Sequence, residues 1–163
     1  VTDVFLAVPP LVLALAITAM LTPSLLNEMF AIALLWWPWY CRLVFAVSSS
    51  LRNQFFIREA EFSGASEAHI LFREMLPNCL APILTKMTLD MGIVILLGAS
   101  LSFVGLGAQP PTPCLGTMVA DGAKRLPGEW WSTIFPALAI VLVILAFNLV
   151  GDGLRDLFAV EEV

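Results

Sequence analysis

The side chains best suited to nucleophilic or metal chemistry in this 163-residue chain are one histidine, His69, and three cysteines, Cys41, Cys79 and Cys114. Their spacing works against such chemistry. The cysteines are separated by 38 and 35 residues, far wider than the short Cys and His pairs that hold zinc and unlike a disulfide framework. They read as small packing residues, and no metal is expected. No Ser-His-Asp set, no HExxH helix and no glycine loop ending in Gly-Lys-Ser or Gly-Lys-Thr occurs in the chain, so neither a catalytic residue nor a cofactor site is expected. Lys86 and Asp90 are the remaining pair of interest. Four residues apart, they share one helix face and can pair. A charge inside a membrane is by default a functional hint, but close to a membrane edge a structural pair or a snorkelling lysine is the simpler reading. Asn148 and Asp152 can cap backbone or face a neighbouring helix.

The elements that must carry these residues follow from composition. Hydrophobic residues make up 60% of the chain and charged residues 13%, and the mean hydropathy is +0.92. Soluble domains average nearer half apolar and a quarter charged, and a chain this short has too little interior for the excess. Lipid is therefore the main solvent. The net charge of −5 argues against nucleic acid, which needs clustered Lys and Arg. The start of the chain lacks a basic n-region and a cleavage site, so no signal peptide is expected. Beginning at Val1, it reads as lacking its N-terminal part.

About 20 apolar residues cross a bilayer as a helix. Four such spans are expected, at about 4–22, 29–47, 80–106 and 130–150, giving an all-α, polytopic transmembrane helix bundle as a single domain over 1–163. The second span contains Arg42, which lies near its end and can snorkel. It also contains the run Trp36–Trp37–Pro38–Trp39–Tyr40. Rings at that depth should pack against another helix, and Pro38 should kink the span. Arg52, Arg58 and Arg73 lie between the second and third spans. By the positive-inside rule that connection, about 52–78, is cytoplasmic, and the 108–129 loop is external. Small residues from Gly92 to Gly107 would let helices approach closely or line a pore.

The cytoplasmic connection is the informative segment. Gly64 can take positive φ and end a first short helix, Ser66 is a plausible N-cap for a second, and Pro77 should stop that second helix. Ile70, Leu71, Met75 and Leu76 give it one apolar face. An interfacial helix on lipid and a knob for a soluble partner both fit this pattern.

The residues resemble a known family. Gly64–Ala65–Ser66, Ile70 and Leu76–Pro77–Asn78 are similar to the EAA loop of the inner-membrane permeases of ATP-binding-cassette importers. Gly98–Ala99–Ser100–Leu101–Ser102–Phe103–Val104–Gly105–Leu106–Gly107, Gln109–Pro110–Pro111–Thr112–Pro113, Phe147–Asn148–Leu149 and Gly151–Asp152–Gly153–Leu154–Arg155–Asp156 look like the dipeptide, oligopeptide and nickel branch. The likeness covers essentially the whole chain. Arg58 stands where the family pattern has Glu and Glu59 where it has the first Ala, while Ala60 keeps its place; the carboxylate is shifted by one residue or lost. Family permeases are about twice this size, with six spans, of which this chain matches the last four.

The resemblance implies a transport subunit in a bacterial inner membrane, not an enzyme, with ATP hydrolysed by separate chains. It implies coupling to the ATPase through Glu59, Ala60, Gly64, Ala65, Ser66, Ile70, Leu76 and Pro77. The implied partners are a second homologous permease, two cytoplasmic ATPase subunits and an extracytoplasmic solute-binding protein. Peptides are the leading cargo, with nickel, glutathione and sugars as other possibilities. A non-transporting membrane anchor or scaffold subunit, or an inactive truncated permease, is the alternative.

Overall fold

A computed structural model of the chain describes residues 2–159. Among them every regular element is a helix: α1 (Thr2–Leu6), α2 (Pro10–Ala19), α3 (Leu25–Leu51), α4 (Phe55–Phe62), α5 (Glu67–His69), a π-helical segment (Ile70–Met75), α6 (Leu76–Phe103), α7 (Leu115–Ala123) and α8 (Trp131–Ala159). The fold is an all-α bundle of membrane type, as expected.

Among the described residues three helices are long and apolar enough to cross a bilayer: Leu25–Leu51, the continuous rod Glu67–Phe103, and the Trp131–Asp156 stretch of α8. At 27 residues, α3 is roughly 40 Å long, against a hydrocarbon core of about 30 Å. The 37-residue rod reaches roughly 55 Å, so one end must project well beyond the lipid.

The expected span at 4–22 is divided. Pro9 and Pro10 lack amide protons and fix φ, which stops α1 and makes Pro10 the first residue of a new helix. The ten residues of α2 cover roughly 15 Å, half a bilayer core. α1 is held against α3 instead: Phe5 packs edge-on to Trp37 with ring centroids 5.6 Å apart, and Asp3 pairs with Arg42. α3 itself continues through the buried Pro38 without a break.

α6 is the hub, packing on α3, α7 and α8. Between α6 and α8 the spacing is set by Gly92, whose absent Cβ would lie 3.0 Å from the Asn148 carboxamide oxygen and 3.1 Å from Ile144. The small-residue stretch therefore packs helices together here. Ala14, Ile32, Leu35, Leu97 and Leu101 form the buried core where α2, α3 and α6 meet, with Trp36 packed against it. Most other large apolar side chains of the spans face outward, Phe135, Leu142 and Leu149 on α8 among them. That is the arrangement required when the solvent is lipid.

At one end of the bundle a carboxylate is buried. Glu28, in the first turn of α3, is 4% exposed. The Ser102 hydroxyl lies 3.2 and 3.1 Å from its two oxygens, and the Ala108 amide also donates to it. Gly107 closes over this cluster, since a Cβ there would fall onto the Ser102 hydroxyl and the Glu28 carboxylate. α7, within the expected 108–129 loop, packs on α6 and α8, so that loop is structured.

Candidate coupling site

The Ser48–Cys79 connection lies at the opposite end of α3 from Glu28. It leaves α3 at Leu51, turns through residues 52–54 and forms α4, which is fastened by one residue: Ile57 is 1% exposed. α4 then ends in a Schellman motif. The Gly64 amide donates to the Glu61 carbonyl at 3.0 Å and the Ala65 amide reaches back to the Ala60 carbonyl at 3.0 Å. This closure needs a left-handed residue between them, and Gly64 has φ +80°; an L side chain there would be strained.

The chain re-enters a helix two residues later. The Ser66 hydroxyl accepts from the His69 amide at 3.3 Å and caps α5, as its position suggests. The expected stop at Pro77 does not occur. Pro77 falls within the first two residues of α6, and the helix runs straight through it. The reason is the wider turn at Ile70–Met75, where the Leu76 amide bonds to Leu71, five residues back. A π-turn reorganises the carbonyls that a proline ring would strike and that its missing amide would leave unpaired. The second short helix is thus neither separate nor free to lie flat on lipid. It is the projecting end of the α6 rod.

The eight residues singled out in the sequence therefore sit in one continuous structure. Glu59 and Ala60 are on α4, with Ala60 supplying a capping carbonyl. Gly64, Ala65 and Ser66 form the turn, Ile70 lies in the π-segment, and Leu76 and Pro77 begin α6. Glu59, Gly64, Ser66, Leu76 and Pro77 are exposed; Ala60, Ala65 and Ile70 are half-buried. α4 packs on the π-segment, and a groove of about 470 Å³ runs between these pieces and the end of α3, lined by Ser48, Arg52, Ile57, Glu61 and Met75 among others.

Sequence reasoning missed Ile57 and the aromatic surface around it. Phe62 is 91% exposed, Phe55 74% and Phe72 64%. An apolar run of Phe55, Phe56, Ile57 and Phe62 at helical spacing was the available signal. Phe55, Phe62 and Phe72 are thus exposed on a projection that also carries charged residues, where exposed apolar side chains are candidates for an interaction surface.

The chain matches, over residues 1–160, the family described as binding-protein-dependent transport system inner membrane component. It belongs to this family. It is 46% identical over 154 residues, 94% of its own length, to the dipeptide transport system permease protein of Alkalihalophilus pseudofirmus, of which it covers 51%. It is 44% identical to the di/tripeptide transport system permease protein of Pseudomonas aeruginosa, covering 94% of itself and 51% of that protein. With the probable D,D-dipeptide transport system permease protein of Escherichia coli it shares 42% identity over 157 residues, 96% of this chain and 53% of the relative. The chain thus spans about half the length of the curated relatives it matches. As a member of this family it is an inner-membrane component, in keeping with the three helices among its described residues that are long and apolar enough to cross a bilayer.

Proposed function

We propose that the chain is part of a permease subunit of an ATP-binding-cassette importer that moves short peptides. In this reading the α4–turn–α5 projection is its contact with a cytoplasmic ATPase subunit. The observation that carries the coupling role is mechanical: the projection ends in the same unbroken rod, Glu67–Phe103, that packs on α3, α7 and α8 inside the bundle. A force applied to the knob by a partner closing around nucleotide has no flexible linker in which to dissipate. It tilts or shifts the rod, and the packed helices rock between two arrangements. The exposed Phe55, Phe62 and Phe72 supply the apolar area for docking, while Glu59, Gly64 and Ser66 shape the turn presented to the partner.

In the same reading the Ser48–Cys79 connection is cytoplasmic, the segment carrying α7 is external, and a second homologous permease completes the translocation path. A solute-binding protein delivers cargo from outside and two ATPase subunits dock below. Peptide cargo is supported by the names of the relatives.

Gly64→Asp tests this. The aspartate is strained in the left-handed conformation that Gly64 adopts, and it adds a charge to the turn. In a complete importer carrying this chain, ATP-driven peptide uptake should fall to background while the protein still inserts and folds. Full uptake by this variant removes the coupling assignment. A complex with the ATPase that forms normally but is indifferent to nucleotide would instead favour a membrane scaffold.

A further inference from the structure

The Lys86–Asp90 pair does not lie at a membrane edge. Asp90 is 14 residues from the start of α6 and 13 from its end, and Trp39 is 14 from the start of α3 and 12 from its end. Both residues therefore sit close to the midpoints of their helices, and charged groups at that depth are costly to keep.

What surrounds the pair is a small chamber of about 200 Å³, lined by Pro10, Trp36, Trp39, Lys86, Asp90 and Ile93. The Lys86 ammonium donates to Asp90 Oδ1 at 3.0 Å and lies 6.0 and 5.8 Å from the ring centroids of Trp39 and Tyr40. The Tyr40 hydroxyl is a second hydrogen-bonding neighbour of Asp90. Asp90 is only 7% exposed, and its second oxygen, Oδ2, is buried without a hydrogen-bond partner. A buried carboxylate oxygen left empty costs about 1–3 kcal/mol or more, so a structural ion pair alone does not explain it. The chamber's remaining wall is the start of α2, where the chain breaks at Pro9–Pro10. A helix interrupted halfway across a bilayer turns its positive end toward the interior, and such broken helices meet at midplane solute sites in transporters.

We infer that this chamber is a binding site on the translocation path for a small zwitterion bearing a free ammonium group, of dipeptide size or less. The inference rests on the transport reading above. The chemistry follows from the unused capacity of each group. An incoming ammonium satisfies Asp90 Oδ2 and lies beside the Trp36 and Trp39 rings that line the chamber, a ring type that attracts cations. A carboxylate takes the two Lys86 protons that Asp90 Oδ1 does not use. The pair is neutral overall, so a zwitterion adds no net charge to the membrane interior, whereas a simple cation or anion would. The chamber's size suits one end of a longer solute or the whole of a very small one.

The test uses the complete importer in nanodiscs, without binding protein, titrated with dialanine while tryptophan fluorescence is followed. Wild type should give a saturable change, and N-acetyl-dialanine, which lacks the ammonium, should give none. Asp90→Asn keeps the shape but loses the charge, and should weaken dialanine binding by about tenfold or more, the value of one charge-assisted hydrogen bond. Trp39→Leu should weaken it by a smaller factor, and its thermal melt shows whether the fold is intact should Asp90→Asn not fold. Equal binding of the acetylated peptide, or wild-type binding by both variants, overturns the site. The transport reading fails separately, if wild-type proteoliposomes supplied with binding protein and ATP accumulate no dialanine.

Discussion

Among the described residues two carboxylates are buried, and their surroundings differ. Glu28 is fully engaged: a hydroxyl reaches both oxygens, a backbone amide adds a third contact, and Gly107 presses against the cluster. No room is left for a ligand. Asp90 is held by Lys86 with Tyr40 beside it, yet its Oδ2 has no hydrogen-bond partner and the group borders an open chamber. The first arrangement fastens the start of α3 to the loop after α6. The second keeps binding capacity in reserve. Burial alone does not separate a fastener from a site; satisfaction of the polar atoms does.

The largest effect should come from crowding the fastener. In Gly107→Ala the new methyl would fall onto the Ser102 hydroxyl and the Glu28 carboxylate and lie 2.9 Å from the Ser102 Cα. Backbone must move, so a loss of about 3 kcal/mol, the upper part of the overpacking range, is expected in thermal unfolding of the detergent-solubilised protein. A melting temperature equal to wild type would show that the cluster is loose. Next, Ser102→Ala removes one donor from a buried carboxylate and should cost about 1–2 kcal/mol by the same measurement.

The smallest effect concerns acid. On α7 the hydrogen bond and charge of Lys124 hold the Asp121 carboxyl below its usual range, with Arg125 assisting. A depressed folded-state value means the contact contributes above the unfolded carboxylate range and is lost as pH falls through the folded value. Amide protection factors over residues 115–129, corrected for the intrinsic pH dependence of exchange, should therefore match at pH 7 and pH 5.5. Loosening between those values would show that another group controls this segment.

The fold class was legible because uninterrupted apolar length is a strong signal. The break at Pro9–Pro10 inside the expected 4–22 span was not, because hydropathy averages over the two prolines whereas backbone geometry does not. Gly64 and Ser66 were legible because cap chemistry is local. The continuation through Pro77 was not: it depends on a π-turn at Ile70–Met75, for which sequence offers no dependable mark. Lys86 and Asp90 were found by spacing but placed at an edge, because the rod begins earlier than its apolar stretch. Glu28 was passed over, since its partner Ser102 is 74 residues away.

The coupling role of the projection is tested most directly by proximity. Phe62, the most exposed of the phenylalanines on the knob, is replaced by cysteine in a complete importer whose Cys41, Cys79 and Cys114 have been removed. Cross-linking to the ATPase subunit is then measured with and without ATP. A cross-link that forms with the ATPase and changes in yield on nucleotide binding is the expected result. Contradiction would be a cysteine at 62 that never links to the ATPase while one at position 121, on α7, does.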